Sequence, residues 1–427
     1  MAEQQQELFS TVDRTGTNSL KWARYPPGTI PMWVADMDLA VPSAISEAVQ
    51  QRAKHPVFGY TVFPFSLKRA ICDWAQRRHN WHVEPQWLSF APGVVPAFNV
   101  AIHALTQPGD KVAVLVPLYY PMCWAVSENG RRLLRSPLIE RQVPSGNVGE
   151  TMLSYEIDFV DLEKKLADPK CRLLLLSSPH NPTGRVWRRQ ELEALAALCA
   201  KYNITVVSDE IHWDLVLPHT DHAHIPFASL SRDAAMRTLT CTAPSKTFNI
   251  SGLGFSYLVA ENPTILAKWN AMASQVGIFP GPPFGMVATE AAYTQCAPWV
   301  DQLRQHIQGN FDVVCAALRA AGLWDLVRPA RSEAMFLMWL DCRQLVASRQ
   351  LKALCDRRDM TVTDPDHNEG YLAGWLAEAA RVGMSDGCEF GVQGEGFLRM
   401  NLGCARETVV EAMRCIVEAL TKPVAPK

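Results

Sequence analysis

No stretch of the 427 residues is apolar for long enough to cross a bilayer. The longest purely aliphatic runs, such as residues 112–116, are five residues long, against the roughly 20 apolar residues a spanning helix needs. Closely spaced cysteines are also missing. The nearest pair among the 12 is Cys404 and Cys415, eleven residues apart, which excludes CxxC and zinc-type spacing. No charge of one sign dominates: the net charge is -2 and the isoelectric point about 6.6, so bulk charge attracts neither nucleic acid nor an anionic membrane. The opening "MAEQQQELFS" lacks the basic and apolar regions of a signal peptide. Scattered thiols suit a reducing compartment. These absences lead us to expect a soluble cytoplasmic protein with no metal centre, no nucleic-acid partner and no membrane partner.

What is present is ordinary globular composition, 48% hydrophobic and 20% charged, in a chain long enough for two domains. Four continuous apolar runs bounded by turn residues read as strands buried on both faces: "DKVAVLVP" (110–117), "CRLLLLSSP" (171–179), "NITVVSDE" (203–210) and "RTLTCTAPS" (237–245). Between the second and third, Leu192, Leu195, Ala196 and Cys199 recur at i, i+3, i+4, i+7 and mark one face of a helix. Strand, helix and strand in succession imply right-handed crossovers and a mainly parallel sheet. We therefore expect an α/β protein. A three-layer αβα large domain would span residues 50–295, and a smaller α+β domain would be built from 1–49 and 296–427. Residues 142–150 and 363–380 read as loops or insertions, and no internal repeat is present.

Each buried run ends in a polar group. Tyr119 follows the first, Asn181 the second, Asp209 closes the third and Lys246 follows the fourth. Parallel α/β sheets bind ligands at the carboxyl ends of their strands, so these four side chains are expected to converge. The set matches pyridoxal 5'-phosphate. Its aldehyde needs a lysine amine, its ring nitrogen a carboxylate, its ring oxygen an amide donor and its ring face an aromatic neighbour. Its phosphate needs a helix N-terminus. "APGVVPAFNVAIHAL" (91–105) offers one, with the N–H groups of Val94 and Val95 at its start and Pro96 read as its first residue. Plainer readings exist: Asp209 as a helix cap, "NPTG" (181–184) as a turn, and His219, His222 and His224 as a polar loop. The order of the four polar groups along the chain outweighs the first two.

"SSPHNPTGRVW", "VVSDEIHWDL" and "APSKTFNISGLG", in that order, resemble the fold type I pyridoxal-phosphate enzymes of the class I/II aminotransferase superfamily. "MWVADMDLAVP", "FGYT", "GVVPA", "DEIHWD" and "SKTFN" are similar to its MalY/PatB-type carbon–sulfur lyases, the cystathionine β-lyases. The resemblance runs from about Asp13 to Cys404. It implies the aspartate aminotransferase-like fold, with Lys246 as the Schiff-base lysine, Asp209 on the pyridinium nitrogen, Asn181 on the ring hydroxyl and Tyr119 stacked on the ring. Val94, Val95 and Ser245 would hold the phosphate, with Tyr60 reaching it from the other subunit of a homodimer. Arg399 would clamp the substrate carboxylate, and Ala35 would line the same pocket. Two departures from the aminotransferase pattern point toward the lyases. His212 stands where many aminotransferases have tyrosine, and no arginine follows Lys246 by about eight residues. The implied activity is α,β-elimination of an L-cysteine S-conjugate such as cystathionine. The alternatives are an aminotransferase and a regulatory protein that keeps the cofactor.

Overall fold

Strands that are apolar at every position, not at alternate ones, must be covered on both faces. A computed structural model, which describes residues 9–349, 351 and 371–422, places the four runs side by side in a seven-stranded sheet. Its strands are β1 (Leu88–Ala91), β2 (Lys111–Val116), β3 (Arg132–Pro137), β4 (Cys171–Ser177), β5 (Thr205–Asp209), β6 (Thr238–Thr242) and β7 (Ser256–Val259). Their spatial order is β1-β7-β6-β5-β4-β2-β3. Only the pairings made by β7 are antiparallel.

Alternate residues of each run supply different layers. Leu173, Leu175, Val207 and Leu239 join one core, together with Val100, Ile265 and Trp269 from the helices Val94–Leu105 and Pro263–Gln275. Leu174, Leu176 and Val206 join another, with Leu192, Leu195 and Cys199 of the helix Arg189–Lys201. Ala196, read as part of that face, is half-buried. This is the expected three-layer αβα arrangement.

After the sheet comes a 24-residue helix, Ala297–Ala320, which buries Val300, Leu303, Ile307, Phe311, Val314 and Leu318 along one stripe. A four-stranded antiparallel sheet follows, in the order Arg328–Pro329, Leu337–Asp341, Phe397–Asn401, Ser385–Asp386. The N-terminal strand Ile30–Pro31 pairs with Val382–Gly383, so the two ends of the chain meet.

Three local expectations need correction. Residues 142–144 end the strand Ile139–Pro144, which forms a hairpin with Thr151–Glu156, so the loop is confined to 145–150. The loop expected over 363–380 is, at Tyr371–Ala380, a helix with Leu372 and Leu376 buried at four-residue spacing, while 363–370 lie outside the described residues. Pro96 is the third residue of its helix, not the first, because the helix starts at Val94. Among the described residues no helix is long and apolar enough to cross a membrane.

The loop after β4 is fastened across the two sheets. Arg185 Nε lies 3.0 Å from Glu333 Oε2 and its Nη2 2.8 Å from Glu191 Oε2, while the Val186 N–H also donates to Glu333 Oε2. Gly184 has φ +75°, and a Cβ there would meet Ser332 Cα at 2.8 Å. Both conformation and space exclude a side chain. Gly184→Ala is expected to destabilise the protein by at least about 2 kcal/mol, read as a lowered urea midpoint with an unchanged slope.

Candidate active site

Ser177, Asp209 and Cys241 are register partners across β4, β5 and β6. The three strands therefore end level, and the residues that follow them open onto one cavity of about 220 Å³. Ten of the eleven candidate residues line it: Lys246, Asp209, Asn181, Tyr119, Val94, Val95, Ser245, His212, Arg399 and Ala35. Tyr60 does not. Its side chain is fully exposed, in the segment between the helices Ser43–Ala53 and Phe65–His79.

Lys246 sits in a turn after β6, half-buried on the cavity wall. Its Nζ donates to Ala35 O at 2.8 Å, and it forms no ion pair with the described residues. Crowding by protein atoms lowers its pKa to about 8. Asp36 and Asp209 oppose the shift, and the Arg399 guanidinium adds to it. Lys21 differs in its partner: it is fully buried and its Nζ lies 2.7 Å from Asp38 Oδ2.

Asp209 and Glu210 are adjacent and point opposite ways, as strand residues do. Asp209 faces the cavity. Burial lifts its pKa to about 7, against the Ile211 N–H that it accepts. Glu210 faces away and is fully engaged by Ser208 Oγ, the Phe227 N–H and His224 Nε2, the last at 2.9 Å. One of the three loop histidines is therefore a structural partner. Among the described residues no group of three or more His, Cys, Asp or Glu side chains is arranged to hold a metal ion.

Arg399 is buried and spreads its guanidinium across the site. Nη1 donates to Asn181 Oδ1 at 3.0 Å, and Nη2 donates to Trp33 O and Ser385 Oγ. The plane lies 4.6 Å from the Phe390 ring, and Nε has no partner. Occupying the amide oxygen of Asn181 in this way leaves its NH₂ to face the cavity. The Asn181 carbonyl also accepts the Tyr119 N–H at 3.1 Å, which ties the end of β2 to the end of β4. His212 is buried with Nδ1 unpartnered. Burial, Lys246 and Arg399 push its pKa down to about 3, so the ring is neutral near pH 7.

The helix Val94–Leu105 points its first turn at the cavity, with Gly93 ahead of it and no side-chain cap. Uncapped first-turn N–H groups and the positive end of the helix dipole give this helix end the chemistry to accept an anion. Sequence reasoning missed Trp33, Tyr120, Ser177, Ser251, Phe255 and Ser385, which also line the cavity. Trp33, Ser177 and Ser251 lie inside the quoted motifs, and Tyr120 is next to Tyr119. Ser385 had no local signal, because only the sheet pairing Ser385↔Arg399 brings it there.

The cavity thus joins a weakened amine, a carboxyl, an amide donor, a buried guanidinium and an anion-binding helix end. The chain belongs to the aminotransferase class I and II family, whose sequence profile matches residues 32–416. It is similar to cystathionine beta-lyase PatB of Bacillus subtilis (strain 168), 39% identical over 414 residues that cover 96% of this chain and 98% of that protein. Protein MalY of Escherichia coli (strain K12) is 30% identical over 425 residues, 97% of this chain and 98% of that one. Among solved structures, cystalysin from Treponema denticola, which contains pyridoxal 5'-phosphate, has a TM-score of 0.85 at 29% identity, over 97% of this chain and 98% of its own.

The site carries a cost in stability. A carboxyl whose folded pKa is raised costs nothing below its unfolded value, near 3.8, and most above its folded value, about 7. In protein freed of small ligands, Asp209→Asn is expected to raise stability by roughly 2–4 kcal/mol at pH 8 and to have little effect at pH 3.5. Urea unfolding at the two pH values measures both.

Proposed function

We propose that the protein is a pyridoxal-phosphate-dependent carbon–sulfur β-lyase, converting L-cystathionine or another L-cysteine S-conjugate and water to a thiol, pyruvate and ammonia. The observation that carries the reading is the convergence of Lys246, Asp209, Asn181 and Arg399 on one cavity that a helix N-terminus also lines. The similarity to lyases over almost the whole chain supports it.

The residues present fit the cofactor. Lys246 would attach it through Nζ, Asp209 would hold the ring nitrogen, and the free NH₂ of Asn181 would hold the ring hydroxyl. Tyr119 would cover a ring face. Val94, Val95 and Ser245 would hold the phosphate, and His212 would meet the ring as a neutral group. When bound, the cofactor supplies an electron sink for the pair left at the substrate Cα.

The chain's own residues do the rest. Arg399 pairs with the substrate α-carboxylate by its charge and by N–H groups that its protein partners do not use, which fixes the Cα–H bond in orientation. Lys246, with a pKa near 8, is partly unprotonated at neutral pH. With its amine free, Lys246 would take the α-proton. The Cβ–S bond then breaks and the electron pair leaves with the thiolate, which is protonated in turn.

We also assign residues 50–295 to a large domain and 1–49 with 296–427 to a small one, as the two separate sheets and the pairing of the chain ends suggest. The helix Ser43–Ala53 spans the first junction. Two copies form a homodimer. Val57, Phe58, Tyr60, Val62, Phe65 and Phe279 are all exposed, and exposed apolar side chains gathered in this way suit an association surface. A second copy covering it brings Tyr60 toward the partner's phosphate site. The enzyme works in the cytoplasm, in keeping with the free thiols of its described cysteines.

Incubation with cystathionine alone is expected to release pyruvate and thiol in equal amounts. Amino transfer that requires an added oxoacid, with no pyruvate, would reject the lyase reading. Lys246→Ala is expected to lower kcat by at least about a thousandfold. Light scattering is expected to give twice the 47.5 kDa chain mass. Tyr60→Phe should keep that mass and weaken phosphate-dependent cofactor retention about tenfold, measured by equilibrium dialysis.

A further inference from the structure

Asp214 stands behind the lysine, on the side away from the cavity, and the chemistry above gives it no part. Its carboxylate is fully buried, a placement that is costly unless every lone pair direction is used. Three side chains use it. Trp74 Nε1 donates to Oδ1 at 3.0 Å, His79 Nε2 lies 2.9 Å from the same oxygen, and Thr247 Oγ1 donates to Oδ2 at 3.0 Å. Two of the three donors come from the helix Phe65–His79, and the imidazole of His79 stacks on Trp213 with centroids 4.1 Å apart. Asp214 is therefore fixed from one side by a packed helix. Thr247, the third donor, is the residue next to Lys246 and is itself fully buried.

The turn that carries Lys246 is held at a second point. Asn249, at φ +56°, accepts the Met37 N–H through Oδ1 at 3.0 Å and donates from Nδ2 to Met37 O at 2.8 Å and Leu39 O at 3.0 Å. Within the turn, the Phe248 N–H reaches Pro244 O and the Ile250 N–H reaches Ser245 O. The lysine backbone is thus clamped between two anchors, one on the N-terminal segment and one on Asp214. A long flexible side chain reaches a reacting atom reproducibly only if its backbone is fixed.

We propose that Asp214 is a positioning residue for the elimination: through Thr247 it fixes the backbone of Lys246, and so the path of its amine between cofactor and substrate. The proposal rests on the lyase reading for its activity arm alone. Asp214 touches neither substrate nor cofactor and acts only through its hydrogen bond to the threonine.

The test compares Thr247→Val, which keeps the shape and removes the hydroxyl, with Thr247→Ser, which restores it, in the cofactor-loaded enzyme. The valine variant is expected to lose about tenfold in kcat with KM within twofold, because the carboxylate clamp at Arg399 is untouched. The serine variant is expected to stay within twofold of the native enzyme in both. Hydrogen exchange of the peptide covering 244–250 is expected to quicken in the valine variant and not in the serine variant, with the helix Val94–Leu105 unchanged in both. Asp214→Ala is expected to match the valine variant, and the double variant to add nothing further. If the alanine variant does not fold, the valine and serine pair decides alone. Native kcat and native exchange in Thr247→Val, failure of the serine to rescue, or additive losses in the double variant would each overturn the proposal. Native enzyme that releases no pyruvate removes the lyase reading, while the exchange result still decides whether the clamp exists.

Discussion

The level parallel pairing of β4, β5 and β6 is the constraint on which the site depends. Ser177, Asp209 and Cys241 stand side by side in register, so the first residues beyond each strand reach one place. Strands in one direction need helical crossovers, and the crossovers bury both sheet faces. Burial of both faces in turn demands uninterrupted apolar runs. The side chains with acid, amide and amine groups then gather where the strands stop, while small hydroxyls such as Thr238 and Thr240 stay buried inside β6. The clustering of chemistry at one sheet edge therefore follows from how the sheet is covered.

Crowding then shapes the charges gathered there. Burial raises the carboxyl of Asp209 to about 7 and lowers the amine of Lys246 to about 8, so both titrate close to neutrality. A bound anionic, aromatic ligand would restore the partners that these groups lack. Glu210, one residue from Asp209, has the opposite fate. It is satisfied on every side by Ser208, Phe227 and His224 and stabilises the loop beneath the site. Lys21 and Lys246 form a second such pair, since one is neutralised by Asp38 and the other is left available.

Much of this was legible in the sequence because it is written in local pattern. The four apolar runs, the helix between the second and third, and the polar group after each run need no knowledge of distant residues. What was not legible is non-local. The helix Tyr371–Ala380 is hidden in the sequence because its small residues, Ala373, Gly374 and Ala377, blur its apolar stripe. Ser385 enters the cavity only through its pairing with Arg399. Arg399 itself was found by resemblance, and the structure adds that it ties up the oxygen of Asn181, which sets the direction of that amide. Thr247 and Asp214 lie 33 residues apart, and no spacing rule in the sequence would have joined them.

The central claim is that Lys246 is the residue that holds the cofactor. Loading the protein with pyridoxal 5'-phosphate, reducing it with borohydride, digesting it and mapping the modified lysine by mass spectrometry tests this directly. The account predicts one modified peptide, carrying the cofactor on Lys246. Stoichiometric modification of any other lysine, with Lys246 unmodified, would contradict it.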